Sequence, residues 1–295
     1  MADDREPMLS PDALAAVVTS GILIADGEQG VHFANDTCVE LFWQPVAALL
    51  GHGWLDHFAG DARKAVADAA HQATEASTHS TVSAPIDIAG QSRWIRMRFN
   101  AIPNDDRGGW VATVDDVTAE RELSRRATHD GLTGLPNRAL LYDRLAQGLA
   151  RMRRNGRPLA VVFLDLDRFK PVNDQHGHAV GDAVLAEVGR RIQAAVRASD
   201  TAARVGGDEF VLVLEGVGSS EAAAAARRVV SSVNQPFAIA GHELHLTICA
   251  GIAIAYSAAT TPDELMAQAD GAMYRAKAKG SGVELVVLPD PLINP

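Results

Sequence analysis

Two cysteines, three tyrosines and four tryptophans in 295 residues leave the chain poor in several kinds of chemistry. Cys38 and Cys249 stand far apart, so the spacing implies neither a disulfide framework nor a cysteine metal knuckle. Positive charge is also short: 27 Lys and Arg against 37 Asp and Glu give a formal charge of −10. A general nucleic-acid binder needs a basic face for the phosphate backbone, and this balance argues against one. A local basic site for phosphates remains compatible with it. No apolar run reaches the length of a membrane span, and the acidic N-terminus (Asp3, Asp4, Glu6) is unlike a signal peptide. The cytoplasm is the expected compartment.

What is present is apolar material, 47% of residues, enough for real cores in a length that suits two domains. Residues 11–18 read as a short helix, with Ser10 as N-cap and Pro11 at the first helical position. Two short strands follow at 21–26 and 31–35 around a turn at 27–30. Residues 35–42 and the alanine-rich 61–76 read as helices. Three further strands, at 80–88, 93–102 and 109–117, form an antiparallel meander with turn chemistry at 89–91 and 104–108.

This order, closing on Asp115-Asp116-Val117-Thr118-Ala119-Glu120-Arg121, resembles a PAS sensor domain over residues 9–118. The resemblance implies a half-open barrel that senses a small molecule or a partner, without naming the ligand. His52, His57, His71 and His79 are the positions to inspect as haem ligands, although a lone histidine is far more often a surface or satisfied residue. Trp43 and Trp54 either line a pocket or fill the core. Residues 119–128, charged and free of glycine and proline, read as a helical linker, either a short dimeric coil or a solvated connector.

The next landmark is Arg204-Val205-Gly206-Gly207-Asp208-Glu209-Phe210, with strand-like runs on both sides. Paired glycines between such runs predict a tight β-hairpin, because glycine reaches positive φ without a Cβ clash. Two consecutive carboxylates then sit at the tip, where like charge is costly unless a cation is bound. A solvated acidic turn is the plain alternative. Upstream, an amphipathic helix over 139–153 precedes Leu159-Ala160-Val161-Val162-Phe163-Leu164-Asp165, the near-continuous apolar run of a strand buried on both faces. A carboxylate at the end of such a strand is expensive unless a metal or cation meets it. Asp167, two residues on, reads as the cap of the following helix.

Three motifs thus stand in order: His129-Asp130-x-Leu132-Thr133-Gly134-Leu135-x-Asn137-Arg138, Asp165-x-Asp167-x-Phe169-Lys170-x-x-Asn173-Asp174, and Gly206-Gly207-Asp208-Glu209-Phe210. With Gly177–Asp182 and Ala269–Lys277 downstream, the chain resembles the GGDEF diguanylate cyclases over about residues 125–288. The resemblance implies an α+β protein: a PAS half-barrel (9–118), a linker helix (119–128), a palm-like α/β GGDEF domain with an antiparallel central sheet (129–288) and a tail (289–295). It implies condensation of two GTP into cyclic di-GMP with Mg²⁺ or Mn²⁺, in a homodimer.

The resemblance also assigns residues. Asp165, Asp208 and the Leu166 carbonyl are the expected metal ligands, and Glu209 stands at or beside the catalytic centre with Lys170. Asn173 and Asp182 read guanine, an amide and a carboxylate being the right pair for its edge. Asp182 is open to a second reading as a helix cap before 183–196. Lys277 and Lys170 meet phosphates, and Phe169, Gly206 and Gly207 complete the substrate site. Ser281 departs from the family, which often carries a basic residue there, and Lys279 is the candidate to replace it. Arg197 and Asp200, separated from Gly206 by the five residues 201–205, are the expected product-inhibition site, with Arg228 as a further contact; an exposed i,i+3 ion pair is the alternative. A catalytically silent GTP or cyclic di-GMP receptor, or another purine nucleotide cyclase on the same palm, are the other functions the sequence leaves open.

Overall fold

Asn35 is polar yet only 6% exposed, and its partners show how the first unit is tied together. Its side-chain oxygen accepts from Ile22 N (2.8 Å) and Cys38 N (3.3 Å), while its amide donates to Ser20 O (3.1 Å). It thereby caps helix α1 (Asp36–Phe42) and pins that helix to strand β1 (Gly21–Asp26). The computed structural model describes residues 18–27, 30–75, 79–103, 108–256, 259–280 and 282–288. The expected helix at 11–18, apart from Val18, the tail at 289–295 and parts of the turns at 27–30 and 104–108 lie outside these residues. The chain divides into two compact units, Met1–Leu123 and Ser124–Pro295.

In the first unit, β1 pairs with β2 (Gly30–Ala34) and β5 (Trp110–Asp116). The antiparallel sheet continues through β4 (Gln91–Ala101) to β3 (His79–Ile88), in the order β2-β1-β5-β4-β3. Alternate residues of β1 and β5 are buried, as expected for a sheet with one covered face. Helix α2 (Val46–Leu49), a 3₁₀ turn (Gly53–His57) and helix α3 (Gly60–Glu75) lie between β2 and β3 in the chain. The first two were not legible as elements because they are a turn or so long.

Trp54, Phe99 and Trp110 form an aromatic cluster with ring centroids 5.1 to 6.0 Å apart, so Trp54 fills the core. Trp43 does neither thing expected of it: it ends α1 with a left-handed backbone (φ 55°) and is 69% exposed. Of the four histidines, His52, His71 and His79 are exposed. His57 packs against Phe42 (5.2 Å between centroids), and burial pushes its pKa below the ordinary value. Helix α4 (Thr118–Thr128) follows β5. Thr118 Oγ1 accepts from Trp94 N (2.8 Å), and the Arg121 guanidinium lies 3.6 Å over the Trp94 ring.

The second unit is built on β6 (Leu159–Asp167), whose burial explains its composition. Ala160, Val162, Leu164 and Leu166 face one core and Leu159, Val161 and Phe163 the other, so no position is free to be polar until Asp165. The first core is closed by α6 (Phe169–His176), α7 (His178–Ala195) and α8 (Ser219–Val233). The second is closed by α5 (Arg138–Asn155) and α9 (Pro262–Ala278). The sheet runs β12-β11-β6-β8-β7, with β7 (Thr201–Gly206), β8 (Glu209–Glu215), β11 (Thr247–Ala255) and β12 (Val283–Val287). All pairs but β11–β12 are antiparallel. A separate two-stranded hairpin holds β9 (Phe237–Ile239) and β10 (His242–Leu244). Among the described residues no helix is long and apolar enough to cross a membrane.

Candidate active site

The site is assembled where three antiparallel strands end together. Across the ladder Asp165 on β6 faces Glu209 on β8 and Cys249 on β11. The β7–β8 hairpin turns at Gly207-Asp208 with Gly206 at φ 158° and Gly207 at φ 50°. The second value is a left-handed conformation that suits glycine. A Cβ on either glycine would meet nothing within 4 Å, so the space beside the tip is open. Leu166 N donates to Asp208 O (3.3 Å), which carries the β6–β8 pairing up to the tip and sets Asp208 beside the end of β6.

Asp167 is not a helix cap. Its carboxylate accepts from Thr247 Oγ1 (2.7 Å) and from Cys249 Sγ (3.3 and 3.4 Å), both on β11. The cap position of α6 belongs to Arg168, in a left-handed conformation (φ 57°) with no side-chain bond to the helix. Cys249 is buried, and its thiol is pushed up to about 11 by burial and by the carboxylate it touches. It acts here as a packed donor, with no thiolate character at neutral pH.

Lys277 reaches the cluster from the last turn of α9 and pairs with Asp165 Oδ1. Its position is set by Gly251: a Cβ there would lie 2.0 Å from Met273 N and 2.2 Å from Ala269 O. Only glycine lets α9 lie this close to β11. Burial raises the Asp165 pKa, and Asp208 and Asp167 raise it further; together they outweigh Lys277. Glu209 is also raised, first by burial and then by Asp165, Asp208 and Asp270, with Lys277 opposing. Burial would lower the Lys277 ammonium, but Asp165, Asp167 and Asp208 keep it above its ordinary value.

The tip is braced from the side. Arg204 on β7 donates from Nε (3.0 Å) and a terminal nitrogen (2.8 Å) to Gly207 O, and from its other end to both oxygens of Asp130 (3.0 and 3.1 Å). Burial pushes the Asp130 carboxyl up, but the Thr133 amide and hydroxyl and Arg204 hold it below its ordinary value overall. The loop that carries Asp130 is closed on itself by Gly134 N to Asp130 O and Asp130 N to Leu135 O. Asn137 caps α5 through Leu140 N.

A second group of expected residues lies on the α6–α7 corner. A Cβ on Gly181 would fall 1.8 Å from Asn173 Oδ1, so the Asn173 side chain keeps this orientation against α7 only with glycine at 181. Asp182 is the fifth residue of α7, which begins at His178, so it is not the cap the sequence suggested. Among the described residues neither side chain has a hydrogen-bond partner. Phe169 is 8% exposed and belongs to the core beneath α7, while Lys170 is exposed.

Arg197 and Asp200 lie in the connection from α7 to β7, away from the hairpin tip. The alternative reading, an ion pair between their side chains, is not seen among the described residues; the Asp200 carboxylate instead accepts from Arg197 N (3.1 Å), leaving the Arg197 guanidinium exposed. Arg228 is exposed on α8. Ser281 lies outside the described residues, and Lys279 pairs with Glu284 (2.9 Å).

Among the described residues no three His, Cys, Asp or Glu side chains converge on one metal position. A dication still fits the donor set. Mg²⁺ takes one or two carboxylates and fills its octahedron with phosphate oxygens and water, and here several carboxylates share a single paired lysine. Sequence reasoning missed Arg204, Asp130, Gly181 and Gly251 as parts of this site. Two signals were available: a lone arginine in a short buried strand, and a glycine inside an apolar strand, which often marks close backbone approach.

Comparison with known proteins agrees with this geometry. Residues 127–282 match the family described as Diguanylate cyclase, GGDEF domain, and residues 16–122 match the PAS fold. The chain is 50% identical over 170 residues to MucR of Pseudomonas aeruginosa, named as a bifunctional diguanylate cyclase/cyclic di-GMP phosphodiesterase; the match covers 58% of this chain and 25% of that one. It is 40% identical over 198 residues to the diguanylate cyclase TpbB of the same species, covering 66% and 45%. It therefore spans a quarter to somewhat under half of these relatives. The solved GGDEF domain of TpbB is 40% identical, with a TM-score of 0.51, over 56% of this chain and 98% of that one. The coiled coil and GGDEF domain of DgcB from Caulobacter crescentus, solved with c-di-GMP, gives 28% identity and a TM-score of 0.54 over 57% and 90%. A match over more than half of its length, on the strands and corner that carry the cluster, places this chain in the GGDEF diguanylate cyclase family, behind a domain of PAS fold.

Proposed function

We propose that this chain is an active diguanylate cyclase that condenses two GTP into cyclic di-GMP and two pyrophosphates. The observation that carries the reading is the register that sets Asp165 opposite Glu209 and beside Asp208, with Lys277 as counter-charge. A silent receptor has no use for such a set. Asp165, Asp208 and the Leu166 carbonyl would hold Mg²⁺ or Mn²⁺, which supplies neutralisation of the triphosphate and a lower pKa for the attacking hydroxyl.

The remaining work falls to side chains. The Asp182 carboxylate accepts from guanine N1–H and the 2-amino group, and the Asn173 amide meets another atom of the same edge. Adenine would leave both unsatisfied, which is a strong form of discrimination. Lys277 and Lys170 bind phosphate oxygens, and the open ground beside Gly206 and Gly207 admits the triphosphate against the hairpin backbone. The 3′-hydroxyl of one GTP attacks the α-phosphate of the other, and pyrophosphate leaves. Glu209, whose carboxylate is more basic than usual, is placed to take the hydroxyl proton. Phe169 supports the corner from below.

Product binds at Arg197, Asp200 and Arg228 and inhibits, and the PAS domain regulates activity through its own ligand or partner. Two copies pair to bring two GTP together, in the cytoplasm where GTP is supplied. Residues 9–118, 119–128 and 129–288 serve as sensor, linker and catalytic domain. The test is incubation of pure protein with GTP and Mg²⁺, with products separated by chromatography. Cyclic di-GMP and pyrophosphate are expected in a one-to-two ratio. Unchanged GTP, with cyclic di-GMP still bound by the protein, would leave the receptor reading instead.

A further inference from the structure

Lys277 already has a partner before any ligand arrives. Its ammonium is paired with Asp165, whose side chain is only 13% exposed. Asp165, Asp167 and Asp208 all act on that ammonium, and Asp270 adds its charge at Glu209. Other lysines near the site are not so engaged: Lys170 is exposed and without a hydrogen-bond partner among the described residues, and Lys279 is paired with Glu284. The helix that carries Lys277 is seated directly on Gly251, so its backbone cannot move further toward β11. Its side chain can move, being a flexible four-carbon stem that is 34% exposed.

We propose that Lys277 is a displaceable internal cation, holding on Asp165 the place of the divalent ion until nucleotide draws it to the phosphates. The inference rests on the cyclase reading for the identity of the nucleotide. It goes beyond that reading in giving one lysine two successive partners. An ammonium and a dication cannot share the same mostly buried carboxylate without strong repulsion. The nucleotide-free site is therefore a poor metal site. Once a triphosphate is present it offers Lys277 a second anionic partner, and the carboxylate is released to the ion. Metal and nucleotide thereby bind with positive coupling, reciprocal in the two ligands. Asp165 thereby keeps a cationic partner at every stage, which spares it the cost of bare charge when the site is empty.

The test is Mn²⁺ binding to the nucleotide-free full chain, followed by electron paramagnetic resonance. Lys277→Met should bind Mn²⁺ about tenfold tighter than the parent, within the usual range of such couplings. Lys277→Arg, which keeps the charge, should stay near the parent and guards against a mere change of packing. Adding Asp208→Ala to Lys277→Met should erase the gain, which locates the ion at the hairpin tip. With a non-hydrolysable GTP analogue present the order should reverse, and Lys277→Met should bind the Mn²⁺–nucleotide pair more weakly. Equal nucleotide-free affinity in the parent and Lys277→Met would overturn the proposal, as would a gain shared by Lys277→Arg. Failure of the parent to make cyclic di-GMP, with the Mn²⁺ gain intact, would remove the cyclase reading and leave the place-holding role standing.

Discussion

At Glu209 burial and three neighbouring carboxylates act in the same direction, and only Lys277 opposes them. The folded chain therefore holds a proton there more tightly than the unfolded chain does. Between the ordinary glutamate value of 4.5 and the raised folded value, the folded state binds more protons, so stability falls as pH rises through that window. Above it the penalty of the ionised form is complete. Glu209→Gln should then raise the melting temperature of metal-free protein by a few degrees at about pH 8 and by little at about pH 4. A gain that is the same at both pH values would contradict the electrostatic origin. Asp208 is the second test at this scale. Asp208→Ala should lower cyclic di-GMP synthesis by on the order of 100-fold or more, with the melting temperature unchanged or raised, because it removes both a ligand and a repulsive charge. Near-normal turnover in Mg²⁺ would refute its assignment. At the base-reading corner, Asn173→Ala should cut the preference for GTP over ATP by about tenfold, the worth of one buried hydrogen bond. Unchanged selection in a competition assay would count against Asn173 as a reader.

At the scale of elements, the hairpin is held by a side chain that no catalytic reasoning requires. Arg204 ties the Gly207 carbonyl to Asp130, and both members of the ion pair are mostly buried, with side-chain exposures of 13% for Arg204 and 24% for Asp130. Arg204→Met would leave Asp130 without its cation and free the turn that carries Asp208. Loss of the pair should cost about 1–3 kcal/mol of stability. Because the carboxylates would be misplaced without being removed, kcat should fall on the order of tenfold or more while the KM for GTP changes little. A fall in melting temperature alone, with kcat kept, would make Arg204 purely structural. This brace also shows where sequence reading stops. The hairpin was legible from Gly206-Gly207 between two apolar runs, and the doubly buried β6 from its unbroken apolar composition. Both signals are local. Asp167 was misread because its partners Thr247 and Cys249 are 80 and 82 residues away, and only strand register brings them near. Asp182 was misread because α7 starts just after Gly177, whose positive φ (84°) ends α6, five residues before the expected start. The close passage of α9 over Gly251 was hidden for a similar reason: the glycine is visible, but the helix that needs it lies elsewhere in the chain.

At the scale of the whole molecule, the chemistry demands more than one copy. Each site of this kind has one guanine-reading corner and one carboxylate cluster, whereas the product joins two guanosines by two equivalent bonds. Two copies related by a twofold axis satisfy that symmetry with the same surface on each side. Activity per chain should therefore rise with protein concentration over the range in which sedimentation shows monomers giving way to dimers. Arg197 and Asp200 lie near the start of β7 and the hairpin tip at its far end, roughly 15–20 Å away for a strand of this length. Under the proposed function, product held there does not occupy the GTP site, so the expected mode of inhibition is keeping two such sites apart. Arg197→Ala should then abolish product inhibition and leave no cyclic di-GMP copurifying, while the initial rate at saturating GTP stays within about twofold, since the Arg197 side chain is exposed. The contrary result is specific: an activity per chain that does not vary where sedimentation shows the monomer–dimer balance changing, together with inhibition that excess GTP removes completely. That pair of results would place both the chemistry and its control within one copy.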